Sequence, residues 1–258
     1  MFAPKHLFSP DELDLRAERI HIYKPDIAAL NQELQPMTAE ERIRFFLRYS
    51  PNAVITSSFG IQAAVTLHLA VQIKPEIPVI FIDTQYHFDE TYAYVKELQE
   101  KLHLNLKIYR RPIPKKEQEL KFGKPTQDSE ESFRRYALLN KIQPLERAFE
   151  ELQASAWISG IRRSQNWTRA AAPLLDIQDD RLKLHPIADW SDREVTEYMK
   201  KHQLINHPLW HEGLRRVGDR ITTEHFHEKN DISSKQPIKR ECGIHKNFSE
   251  FEDAGSGI

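Results

Sequence analysis

The chain has 258 residues, 40 % of them hydrophobic, and a formal net charge of −1. That length and apolar content suit one large α/β domain with a substantial core. The balanced charge argues against a nucleic-acid polymer as partner, which calls for a positive excess, while leaving room for a local basic pocket that takes a small anion.

In chain order, Ser9-Pro10-Asp11-Glu12 opens a first helix, with Ser9 as cap and Pro10 in the first turn. Thr38-Ala39-Glu40-Glu41 repeats the signal ahead of Ile43, Phe45 and Phe46. Alternation of strand and helix begins at Ala53. Residues 53–56 read as a short strand, followed by Ser57-Ser58-Phe59-Gly60 and an apolar helix through Ala63, Leu67 and Ala70. Val79-Ile80-Phe81-Ile82 is apolar throughout, as a strand covered on both faces would be. Asp83-Thr84 ends it. A helix over 88–102, a third strand over 104–109 and a fourth over 156–159 follow, with another strand over 182–187. Ser191-Asp192-Arg193-Glu194 is a further capping box. The order predicts a doubly wound, mostly parallel sheet with helices on both faces. From His207 onward the sequence is polar and irregular, which predicts a mobile C-terminal segment.

That segment holds the chain's single cysteine, within Lys239-Arg240-Glu241-Cys242-Gly243-Ile244-His245. One cysteine excludes an internal disulfide, and it excludes an iron–sulfur cluster held by the cysteines of one chain. A lone cysteine is commonly a small buried hydrophobe, but that suits an apolar element better than this charged stretch. Lys239, Arg240 and His245 would favour the thiolate, the nucleophilic form. No run reaches the length of a membrane span, and the N-terminus lacks an apolar signal core, so a cytoplasmic protein without membrane contact is expected.

In an open parallel sheet, ligands bind beyond the carboxyl ends of the strands. Three such ends carry polar groups. Ser57, Ser58 and Gly60, with Phe59 between them, precede a helix N-terminus and suit a phosphate or sulfate. They lack the lysine of a Walker loop. Asp83-Thr84 is the second, with helix capping as its ordinary reading. Arg162, Arg163 and Arg169 are the third, and arginine grips phosphate through a bidentate fork.

Taken together, Ser57 to Ala64, Asp83-Thr84 with Glu90-Thr91, Asn140-Lys141 with Pro144, Gly160 to Arg163 with Gln165 and Arg169, His207-Pro208-Leu209-Trp210, Gly218-Asp219 with Thr222-Thr223, and Lys239 to His245 resemble the phosphoadenosine phosphosulfate (PAPS) reductases of assimilatory sulfate reduction. The resemblance covers about residues 50–245 and implies an adenine-nucleotide α-hydrolase-like fold. It divides the chain into an N-terminal helical segment (1–48), a nucleotide-binding domain (49–206) and a segment carrying the catalytic cysteine (207–258). It further implies that PAPS lies along the strand ends, with its phosphosulfate near Ser57, Ser58, Phe59 and Gly60. Asp83 belongs to this binding set. Lys141, Arg162, Arg163 and Arg169 would offset phosphate charge, joined by Lys239 and Arg240. Cys242 would attack the sulfonate sulfur, and His245 would hold the thiolate or the sulfonate. Because no second thiol remains, thioredoxin or glutaredoxin would release sulfite. A homodimer without metal or cofactor is implied.

Related reductases of adenosine phosphosulfate (APS) usually carry paired, cluster-binding cysteines where Tyr136-Ala137 stands here, which favours PAPS; a cluster-free reductase of APS is the nearest alternative. Gln85 replaces a common glycine, Trp167 a small residue and Ile221 a polar one. Competing readings are a zinc site at Cys242 and His245 with His225 and His227, an adenylating enzyme of the ATP-pyrophosphatase type, and a nucleotide sensor without turnover. Ser57 to Gln62 lacks the second glycine and the aspartate of the Ser-Gly-Gly-x-Asp-Ser loop that adenylating enzymes use to hold pyrophosphate.

Overall fold

The structure, a computed structural model, describes residues 25–214 and 216–223. The helix expected at Ser9 therefore lies outside the described residues, as do Lys239, Arg240, Cys242 and His245. Six strands form one sheet in the order β3-β2-β1-β4-β6-β5. They are β1 (Val54–Thr56), β2 (Pro78–Ile82), β3 (Asn105–Tyr109), β4 (Ala156–Ser159), β5 (Leu175–Gln178) and β6 (Arg181–Leu184). All neighbours are parallel except the β5–β6 hairpin. Its turn residues Asp179 and Asp180 both take positive φ, as a tight hairpin of this twist requires.

Alternation along the central strands supplies both faces with core residues. Ile55, Val79, Phe81, Ala156 and Ile158 point to one side. Helices α1 (Ile27–Leu34), α2 (Ala39–Tyr49), α3 (Ala63–Ile73), α4 (Asp89–Leu102) and α8 (Asp192–Lys201) cover that side. Val54, Ile80, Ile82 and Trp157 point to the other, under α6 (Glu130–Ala137) and α7 (Gln143–Glu151). Helix α5 (Lys115–Phe122) contributes only Gln118 to the interior. Lys183 faces Trp157 in register and is buried, with its ammonium 4.3 Å from the indole ring and 2.7 Å from Gln178 Oε1. The aromatic face and the amide together replace the water that a lysine would otherwise need.

The two capping boxes form as their sequences predict. Thr38 Oγ1 accepts from Glu41 N–H and Ser191 Oγ from Glu194 N–H, each glutamate reaching back to its cap. Strand β5 and helices α1, α5, α6 and α7 go beyond the elements read from the sequence. Helices α6 and α7 are one continuous rod, interrupted by a π-turn at Leu138–Ile142. No helix among the described residues is long and apolar enough to cross a membrane.

Candidate active site

The chain runs β1 to β2 to β3 toward one edge, then returns to β4 on the other side of β1. The crevice at such a reversal, beyond the carboxyl ends of β1 and β4, is where open α/β sheets hold ligands. The loops after these two strands meet there.

After β1, Ser57 Oγ accepts the Phe59 N–H at 3.0 Å. Phe59 takes φ 50° and buries its ring at 0 % exposure, edge-on to Phe81 at 5.2 Å. The ring anchors the turn in the core, which leaves the Phe59 backbone as the part that can face a ligand. Ser58 is exposed and Ser57 and Gly60 are half-buried. Helix α3 begins just beyond, with no side chain capping it.

After β4, Arg162 is almost fully buried. Its buried guanidinium donates to Asp192 Oδ1 at 2.7 Å, to Ser164 Oγ at 2.8 Å, to the Trp190 carbonyl and to Gln62 Oε1. Its charge is consumed in tying the loop after β4 to the loop after β1 and to the start of α8. Arg163 is half-buried and donates to the Ala172 carbonyl at 2.8 Å. Arg169 is half-buried and bonds Gln165 Oε1, while Asn166 Oδ1 accepts the Arg169 N–H at 2.9 Å. Trp167 stands on this loop 74 % exposed.

At the end of β2, Asp83 is buried and accepts from Tyr92 OH (2.7 Å), Gln85 N–H (2.9 Å) and Arg110 Nε (2.6 Å). Burial pushes its carboxyl upward, but these donors together outweigh burial and leave it below its ordinary value. Asp83 does not cap α4, whose N-cap is Phe88. It fixes the turn at Gln85 instead. Gln85 takes φ 62°, the left-handed region that glycine enters without strain, which accounts for glycine's frequency there in the resembled family.

Lys141 lies in the π-turn, a geometry often found at functional sites. Its ammonium forms an ion pair with Asp219 Oδ2 at 2.8 Å, the two side chains 5 % and 2 % exposed. The cation expected to neutralise phosphate is thus matched by a carboxylate of the chain. Burial alone would raise the Asp219 carboxyl, but Lys141 and Tyr136 bring it below its ordinary value. Asp219 also accepts from the Ile221 and Thr222 N–H groups and the Thr222 hydroxyl. Residues 216–223 border the crevice. The Val217 carbonyl sits against Gly60, where a Cβ would lie 2.8 Å from it. Arg220 N–H donates to the Tyr86 carbonyl at 2.8 Å.

The end of β3 carries a fourth polar set absent from the sequence reading. Arg110 pairs with Asp83, and Arg111 donates to the Thr84 carbonyl at 2.8 Å and to Asn140 Oδ1. The signal was there: an arginine doublet directly after a strand, as at Arg162-Arg163. Lys115 lies 4.1 Å from the Tyr86 ring centroid. Among the described residues no group of three or more acidic, histidine or cysteine side chains is placed to hold a metal ion.

Residues 52–225 match the model of the phosphoadenosine phosphosulfate reductase domain family. A phosphoadenosine 5′-phosphosulfate reductase of Vibrio parahaemolyticus is 43 % identical over 237 residues, 90 % of each chain. The crystal structure of a phosphoadenylyl-sulfate reductase from Candida auris, in a phosphate complex, superposes with TM-score 0.68 at 27 % identity, covering 77 % of this chain and 96 % of that one. An FMN adenylyltransferase of Candida glabrata superposes with TM-score 0.56 at 15 % identity over 92 % of this chain and 81 % of its own, a likeness of fold alone. With the family model spanning the crevice loops and close identity along almost the whole chain, this chain belongs to the phosphoadenosine phosphosulfate reductase family.

Proposed function

We propose that this chain reduces PAPS to sulfite and adenosine 3′,5′-bisphosphate in sulfate assimilation, with electrons from a dithiol protein of the thioredoxin or glutaredoxin type. The observation that carries this reading is the 43 % identity to a reductase of that name over 90 % of both chains. The phosphosulfate sits at the end of β1, against Ser57, Ser58 and the Gly60 backbone, with Arg163 and Arg169 supplying charge from the loop after β4. Lys239 and Arg240 join from the C-terminal segment. The Cys242 thiolate attacks the sulfonate sulfur, the bond from sulfur to the bridging phosphate oxygen breaks, and the nucleotide bisphosphate departs. His245 steadies the thiolate or the sulfonate. A thiolate of the reductant then attacks Cys242 Sγ, sulfite leaves with its electron pair, and the reductant's second thiol resolves the mixed disulfide. The chain's own cysteine count supports an external reductant, since Cys242 has no second thiol beside it. The working form is a cytoplasmic homodimer, which sedimentation would test: a species of one chain's mass at working concentration refutes it.

The decisive experiment uses Cys242→Ser. Sulfite formation is expected to vanish while nucleotide still binds. Wild-type protein given PAPS without reductant is expected to gain the mass of one sulfonate on Cys242. Turnover surviving in the variant, or no adduct in a single turnover, refutes the covalent route. Kinetics with PAPS and APS side by side test the substrate.

A further inference from the structure

Arg111 carries a buried positive charge whose guanidinium the described residues engage through one nitrogen only. The residue is 6 % exposed. Its Nη1 is occupied by the Thr84 carbonyl and Asn140 Oδ1. Among the described residues its Nε and Nη2 have no hydrogen-bond partner. These two nitrogens share one edge of the planar guanidinium, and their N–H bonds run side by side. That edge is the fork that engages two oxygens of a phosphate or carboxylate at once. A buried guanidinium with an unmet edge is costly, so an uncompensated one points to an anion that completes it.

The neighbouring acids are already committed. Asp83 is paired with Arg110, Asp219 with Lys141, and Glu119 accepts from Tyr86 OH. Burial lowers the proton affinity of Arg111, and the nearby Asp83 and Glu119 carboxylates offset that only in part.

The position indicates which anion. Arg111 follows β3, and β2 alone separates β3 from β1. Two strand spacings amount to about 10 Å. A nucleotide with its 5′ group at the end of β1 would cross the Asp83-Thr84 end of β2 and bring a second anionic substituent toward β3.

Resting on the reading under Proposed function, we infer that Arg111 is a specificity-determining residue whose Nε/Nη2 fork receives the 3′-phosphate of the nucleotide. Both nitrogens are shielded from solvent, so the phosphate enters with a local shift of the surrounding side chains. The Tyr86 ring, its centroid 5.7 Å from the guanidinium carbon, is one of them.

Calorimetric titration of the full chain with adenosine 3′,5′-bisphosphate and with AMP tests this, in wild type, Arg111→Lys and Arg111→Gln. Wild type is expected to prefer the bisphosphate. Both variants are expected to lose roughly ten- to a hundredfold of that preference while AMP binding changes little, because lysine keeps the charge but not the fork. A preference that survives in both variants overturns the inference. So does an equal loss for both ligands, which would make Arg111 a tie between Thr84 and Asn140. A wild type indifferent to the 3′-phosphate overturns it too. APS titrated alongside identifies the other possible oxyanion: loss confined to APS places the sulfonate at the fork and overturns the assignment. The parent reading fails separately, if wild type forms no sulfite from PAPS with reduced thioredoxin.

Discussion

Lys141 and Asp219 form an ion pair sealed from water, so removing one partner strands the other in a medium that solvates charge poorly. Asp219→Asn is expected to cost about 3–5 kcal/mol in urea unfolding; a loss under about 1 kcal/mol would mean that the pair contributes little. The acid response of this carboxylate follows from its lowered pKa. The unfolded chain takes up the proton first, near the ordinary 3.8. The contribution of the pair is therefore complete above that pH and fades as pH falls through the lower folded value. Two histidines act at milder acidity. Burial, with Lys183 nearby, lowers His185 to about 3, and burial lowers His207 to about 4. Their ordinary value is 6.5, so between 6.5 and those values the unfolded chain binds more protons and stability falls as pH falls. Each contributes up to about 1.4 kcal/mol per pH unit. His207 accepts from the Leu209 N–H and bonds Thr91 Oγ1, and His207→Gln is expected to flatten the slope between pH 6 and 5, roughly where the wild type is steepest. An unchanged slope in urea midpoints would refute this.

At the level of the element, the segment 216–223 is held at several points along its length. Val217 lies against Gly60 after β1, Arg220 bonds the Tyr86 carbonyl after β2, and Asp219 pairs with Lys141 in the π-turn. Val217 also joins Ile61, Phe88 and Leu209 in a small apolar cluster. The loop after β1 and this segment are therefore coupled through a glycine whose φ is unremarkable and whose missing side chain is the point. Gly60→Ala sets a Cβ 2.8 Å from a backbone oxygen, which cannot swing away like a side chain. Overpacking of this kind costs about 1–3 kcal/mol. Turnover is expected to fall with it, since the displaced segment leads on in sequence toward Cys242. A variant with wild-type stability and rate would show that the contact is dispensable.

At the scale of the molecule, one sheet serves two cores. Val54 and Ile55, Ile80 and Phe81, and Trp157 and Ile158 are neighbours in sequence that belong to opposite faces. The faces share strands, so neither can melt while the other stays ordered. Trp157 is 1 % exposed and packs on Phe149 at 5.6 Å. Trp157→Ala is expected to lower a single cooperative transition by about 3–5 kcal/mol. Circular dichroism and the fluorescence of the remaining tryptophans should trace the same curve; divergent curves would mean that the faces unfold separately.

The sequence by itself determined the central strands, the two capping boxes and the family. Val79 to Ile82 is apolar at every position, Thr38 and Ser191 meet their glutamates three residues on, and the family motifs are short contiguous strings. All of these are local. Only the tertiary structure decided which charges are spoken for. Arg162 meets Gln62 100 residues away, Asp83 meets Arg110 27 residues away, and Lys141 meets Asp219 within the segment that borders the crevice. A charge read from sequence has no partner until the chain folds. Burial then makes pairing obligatory, because an ion withdrawn from water must find its compensation in whatever side chain the fold brings beside it.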